Sequence, residues 1–179
     1  MQTTSKVLKR PLLHWFDKTG TTRRCMAEVL GVSRQSPSDW TAKHPKPVTA
    51  DNAARISEFA NDTTLTMEII YKFFGIFRPL DGDTYRRGLS AIDDLRELEE
   101  DERDQAQSLA RRVLLKQQQK LTNSDYDLLL KFSKEQAEAC FANIQYLNVL
   151  CEVQNISIMD LFAEFMPDWQ KEGYFSKEV

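Results

Sequence analysis

Arg34 and Gln35 stand side by side in the stretch GVSRQSPSDW, residues 31–40. Each ends in a flat group able to form two parallel hydrogen bonds with one rigid partner: the guanidinium matches the major-groove edge of guanine, and the carboxamide that of adenine. Their surroundings favour an anionic partner. Residues 1–48 hold nine lysines and arginines (Lys6, Lys9, Arg10, Lys18, Arg23, Arg24, Arg34, Lys43, Lys46) against three acids (Asp17, Glu28, Asp39), whereas the 179-residue chain has a formal net charge of −3. The head is thus net positive and the remainder strongly negative. Such a distribution is expected when one end meets a polyanion and the other must stay off it.

Other chemistries find less support in the residue types. There is no GxxxxGK[ST], GxGxxG or HExxH, and neither His14 nor His44 has a Cys or Ser at a spacing that suggests a nucleophile. Acids such as Asp93-Asp94 and Glu99 to Glu102 are adjacent in sequence, which disperses them around a helix instead of converging them on a substrate. The expectation is therefore of a protein that is not an enzyme and needs no cofactor. Cys25, Cys140 and Cys151 are an odd number with no CxxC spacing, so no metal site is expected and all three read as reduced, packed thiols. Cys140 and Cys151, eleven residues apart, should share one helix face. No apolar run approaches a membrane span, and MQTTSKVLKRPLLHW lacks secretory features, which points to the cytoplasm.

The elements that must hold Arg34 and Gln35 read as helix after helix, an all-α fold. Pro11 suits a first helical turn, Leu12, Leu13 and Phe16 recur at helical spacing, and Gly20 stops that helix. Thr22 caps a second helix bearing Met26, Val29 and Leu30, which Gly31 ends. Thr49 caps a helix with Ala53, Ile56, Phe59 and Ala60 inward, and Thr63-Thr64 opens another that stops at Gly75. Residues 1–77 form the first domain on this reading, and RPLDGDTYRRG, residues 78–88, is a linker.

Residues 89–179 form a second helical region. Leu89, Ile92, Leu95 and Leu98 recur until the charged ELEEDERD, after which Leu109, Val113 and Leu114 resume, in one long helix or two. Thr122 or Ser124 can cap the next helix, whose apolar row Leu129, Phe132, Gln136, Cys140, Ile144, Leu147 and Cys151 advances in steps of three and four. Ser157 opens a last helix with Asp160 at the capping-box position, and Pro167 should stop it. The aromatic tail beyond either docks or stays unpacked.

A helix-turn-helix needs a small residue where its two helices cross, a glycine in the left-handed turn, and apolar anchors behind the second helix. Ala27, Gly31, Val32 and Trp40 supply that set. The pattern AEVLGVS, followed by a helix ending in Trp, resembles the DNA-binding domains of the Cro and repressor family of temperate phages. The likeness continues through HPKPVTADNAARISEFA and covers residues 10–62. It implies that Ser33, Arg34, Gln35 and Ser38 reach base edges. It also implies phosphate contacts by Arg23 and Arg24, and by Lys43 and His44 beyond the second helix. Pro37 departs from the family pattern, which buries Val or Ile there. With Ser33 as cap, the proline would fall fourth in the helix and cost about 3 kcal/mol. A cap at Ser36 makes it the first helical residue, with Asp39 as the capping-box acid and a helix over 37–43.

Regulators of this kind usually pair two heads about one turn of DNA apart, so something must join the copies. The row from Leu129 to Cys151 is the expected homodimer interface, with packing inside one chain the alternative. The layout as a whole is similar to the CII-type regulators of temperate phages. That implies a prophage-encoded transcriptional regulator that binds double-stranded operator DNA as a dimer or tetramer. No small-molecule sensor is visible. The rival expectation is a protein-interaction module, an antitoxin or an inhibitor of another regulator.

Overall fold

Eight α-helices and one two-stranded antiparallel pair follow one another among the described residues, 4–80 and 88–176 of a computed structural model. The class is all-α, as the periodicity predicts. The chain divides into two units, Met1–Pro79 with Ile156–Val179, and Leu80–Asn155. The segment after Asn155 therefore groups with the head, where the sequence reading kept it in the second region. Most of the expected linker, residues 81–87, lies outside the described residues.

The first unit contains β1 (Ser5–Lys6), α1 (Lys9–Thr19), α2 (Arg23–Leu30), α3 (Ser36–Thr41), β2 (Val48–Thr49), α4 (Ala50–Ala60), α5 (Thr63–Phe74) and α8 (Ile158–Lys171). Its core gathers Leu8, Leu12, Trp15, Phe16, Met26, Leu30, Trp40, Val48, Ala53, Ile56, Leu65 and Ile69, with Phe59 and Ala60 packed against it. Each large apolar side chain so buried contributes roughly 1.5–3 kcal/mol. Val29 is exposed, whereas Met26 and Leu30 on the same helix are buried. β1 pairs with β2 in the register Ser5↔Thr49 and Lys6↔Val48, which ties the chain's start to the threonine that caps α4. Asp62, not the threonine pair, caps α5: its Oδ1 accepts from the Leu65 N–H at 2.8 Å, while its Oδ2 receives the Lys18 ammonium at 2.8 Å.

Helix α8 is clasped to the α4–α5 turn by its own cap. Ser157 and Asp160 form the capping box. Asn61, in the left-handed conformation that ends α4, donates to both Asp160 oxygens at 3.0 and 2.8 Å and accepts from Ser157 Oγ at 2.6 Å. The Ile158 N–H donates to Thr63 Oγ1 at 2.9 Å. Pro167 does not stop this helix, which runs on to Lys171. Trp169 meets Phe162 and Phe165 at ring-centroid distances of 5.2 and 6.3 Å, spacings of seven and four residues that exist only if the helix continues past the proline.

In the second unit, α6 (Leu89–Leu114) and α7 (Asn123–Gln154) pack together as a hairpin. The charged run does not break α6; just ahead of it Arg96 reaches Asp93 at 2.7 Å and Glu100 at 2.9 Å, and stacks over Tyr146 of α7 at 5.1 Å. The hairpin buries Ile92, Leu95, Ala106, Ala110 and Val113 from α6, and Ala139, Ala142 and Cys151 from α7 with the polar Glu135, Gln145 and Asn148. The row named from sequence is not this face and shares only Cys151 with it. Its Leu129, Phe132, Gln136, Ile144 and Leu147 are half-buried, Cys140 is exposed and only Cys151 is fully buried. Two of the three thiols are thus not packed, since Cys25 is exposed as well. Cys140 and Cys151 point within about 20° of each other around the helix, so what covers them along the axis decides their burial. Beside the buried face, the Leu80 N–H donates to Gln145 Oε1 at 3.2 Å. Burial pushes the Cys151 thiol pKa up.

Thr122 caps α7 in a full capping box, and Asp125 closes the hairpin. One Asp125 oxygen accepts from the Thr122 N–H and hydroxyl at 2.8 and 2.9 Å, and the Lys116 ammonium lies 2.8 Å from each oxygen. Lys116 first, then Thr122, lower its pKa to about 2. A carboxylate depressed on folding adds stability above its ordinary unfolded value and loses it as pH falls through the folded value. Helicity followed by circular dichroism during acid titration should therefore drop between about pH 4 and pH 2 in the wild type. Asp125→Asn should lack this component and start less stable at pH 7.

Candidate nucleic-acid interface

Two consecutive turns set the geometry of the α2–α3 pair. Gly31, at φ 60°, ends α2; its N–H reaches the Glu28 carbonyl at 3.3 Å and the Val32 N–H reaches Ala27 at 3.1 Å. An L side chain is strained in that conformation by about 1–2 kcal/mol. At the second turn the Ser36 N–H donates to the Ser33 carbonyl at 2.9 Å and sits 3.2 Å from Ser33 Oγ. The chain is then already helical at Gln35, which occupies the cap position with φ −77° and ψ −27°.

The expected cap at Ser36 and the expected span 37–43 are therefore both corrected, since α3 covers Ser36–Thr41. Pro37 is accommodated by the tighter turn ahead of it. The Ser33 carbonyl, which an N–H at position 37 would have sought, is taken by Ser36, so the missing donor leaves nothing unpaired. The proline ring is fully buried, where the family resembled buries an aliphatic side chain. Trp40 and Ala27 are buried behind it, as anchors of the pair.

Arg34 and Gln35 project from the turn, and the Arg34 side chain is 74% exposed. Ser33 is exposed too, but its hydroxyl is engaged with Ser36 Oγ at 2.8 Å, and Ser38 is half-buried. Arg23 is more than a free cation. Its Nε donates to Thr41 Oγ1 at 2.9 Å, Thr41 in turn donates to the Pro37 carbonyl at 2.9 Å, and the guanidinium lies 5.2 Å over the Phe16 ring. One arginine thereby fastens the end of α3 to α1 and α2 while keeping a charge that no carboxylate neutralises among the described residues. Lys43 and His44 are exposed beyond α3.

Sequence reasoning missed the carboxylates woven among these cations. Glu28 Oε1 lies 2.9 Å from Arg24 Nε and 4.0 Å from Arg34 Nη2, and Arg24 holds the Glu28 pKa below its usual range. Asp39 is not a capping acid: Oδ1 accepts from Gln35 Nε2 at 2.9 Å and Oδ2 from Lys46 Nζ at 2.7 Å. The four-residue steps from Arg24 to Glu28 and from Gln35 to Asp39 were the available signal.

Among the described residues no helix is long and apolar enough to cross a membrane. Compared with known proteins, the chain matches no family model, no curated protein and no solved structure.

Proposed function

We propose that this chain is a sequence-specific DNA-binding transcriptional regulator of prophage type, acting in the cytoplasm on operator DNA as a dimer or tetramer. One observation carries the reading: Arg34 and Gln35 stand exposed ahead of a short helix whose Pro37, Trp40 and Thr41 are buried behind it. A rigid scaffold with two bidentate groups outward can present them to base edges, while Arg23, Arg24, Lys43 and His44 around them suit phosphates. The half-buried row Leu129, Phe132, Ile144 and Leu147, with Gln136 and the exposed Cys140, is the surface proposed to join copies; Cys151, the end of the row named from sequence, is buried within the chain and is left out.

A second reading, a protein-binding module, draws on Glu28 and Asp39, carboxylates that a phosphate backbone would repel. A mobility-shift titration across a salt series separates the two. Three phosphate-facing cations per copy, Arg23, Arg24 and Lys43, give a dimer six contacts and a log–log slope of about −5. A chain that retains no duplex even at low salt is not this regulator.

A further inference from the structure

We propose that Asp39 is a specificity-positioning residue, which fixes the Gln35 carboxamide in the one orientation that accepts adenine and refuses guanine. The inference rests on the DNA-binding reading above and names the device by which that site discriminates.

A glutamine amide carries two N–H donors on Nε2 and a carbonyl acceptor on Oε1. One donor is spent on Asp39 Oδ1 at 2.9 Å. Rotating the amide by half a turn would set Oε1 against the carboxylate, acceptor facing acceptor, so the orientation is locked. What stays available is one N–H and the carbonyl oxygen, the pair complementary to adenine N7 and N6. Guanine offers two acceptors, N7 and O6, and so sets its O6 against Gln35 Oε1. An untethered glutamine can turn both N–H groups outward and tolerate guanine.

Asp39 is itself held. Lys46 Nζ lies 2.7 Å from Oδ2, and the Lys46 N–H donates to the Asp39 carbonyl at 3.0 Å. Its side chain is 23% exposed against 72% for Lys46, so the acid sits inside the pair and the ammonium outside. Lys46 and then Gln35 keep the carboxyl pKa below its usual range, so the acceptor is charged at neutral pH. The ion pair also offsets the negative charge that would otherwise face the phosphates.

Three full-length chains, wild type, Asp39→Ala and Asp39→Asn, would be used to select from a randomised duplex pool, and affinities would be measured for the selected sites. Asp39→Asn removes the charge and sets a donor beside the acceptor, so a turned Gln35 amide can pair with it equally well; Asp39→Ala removes both partners. Both variants should bind all duplexes more tightly, because a carboxylate has gone and Lys46 is released. Both variants should lose the adenine-over-guanine preference at one position, by about tenfold. If either variant keeps the preference, Asp39 does not lock the Gln35 amide. The side-chain amide resonance of Gln35, followed by NMR without DNA, reads the tether independently: it should gain mobility in Asp39→Ala and hold in Asp39→Asn. Wild-type binding with an unmoved preference and an unmoved amide overturns this inference alone, whereas a wild type that retains no duplex overturns the functional reading as well.

Discussion

A chain carrying both Arg34→Ala and Gln35→Ala should bind its selected duplex no better than a random one. Each bidentate base contact is worth roughly 1–3 kcal/mol of discrimination, so losing two removes about 2–6 kcal/mol, enough to erase most of the margin between specific and non-specific binding. Binding should not vanish, because Arg23, Arg24, Lys43 and His44 are untouched, and the salt slope should change by at most about 1. Both side chains are exposed and contribute little to the core, so thermal stability should stay within about 0.5 kcal/mol. Competition shifts against excess random duplex measure the first effect, and a thermal melt the second. Retention of full preference by the double variant would remove these residues from the reading face.

Trp40→Ala should have the opposite profile, a collapse of stability with DNA affinity lost only as a consequence. Trp40 is 6% exposed and packs in the same core as Leu12, Trp15 and Leu30. Truncating a buried aromatic typically costs 3–5 kcal/mol, against a total stability of about 5–15 kcal/mol. A domain of this size loses roughly 4–8 °C in Tm per kcal/mol, so the first unit's melting transition should fall by at least about 12 °C. Val29→Ala serves as the control. Val29 is an apolar residue of α2 but is 56% exposed, and its loss should barely move the transition.

Local chemistry was legible: Thr22 and Thr49 cap the helices they were expected to cap, and Gly20, Gly31 and Gly75 end helices in left-handed geometry. Each depends on one residue and its immediate backbone. Pro37 was harder, because its fate was settled by Ser33, four residues earlier, whose hydroxyl and carbonyl organise a turn that no single-residue preference announces. Pro167 was misread for a related reason, since the aromatic contacts of Trp169 hold the helix across it.

The hairpin face was hidden by hydropathy itself. The strongest apolar row on α7 runs through Leu129, Phe132, Ile144 and Leu147, yet the side packed against α6 is built from Ala139 and Ala142 with buried Glu135, Gln145 and Asn148. Opposite them, α6 also supplies Ala106 and Ala110. Alanine scores weakly on any hydrophobic scale, but it lets two backbones approach closely, a property of the pair that neither sequence row reveals alone. At the interface, Arg34 and Gln35 could be picked out by type, whereas the tether from Asp39 and the second role of Arg23 depend on where Lys46 and Thr41 fall in space.

The clasp of Asn61 on Ser157 and Asp160 also sets an order of manufacture. The chain leaves the first unit after Pro79 and returns to it at Ile156, so a ribosome must finish the whole hairpin before α8 can emerge and dock. A nascent or truncated product ending within α7 holds a head without its final helix, its Asn61 and Thr63 lacking these partners. Completion of the first unit is thereby coupled to translation of the hairpin, and prematurely terminated copies are distinguishable from finished ones at the α4–α5 turn.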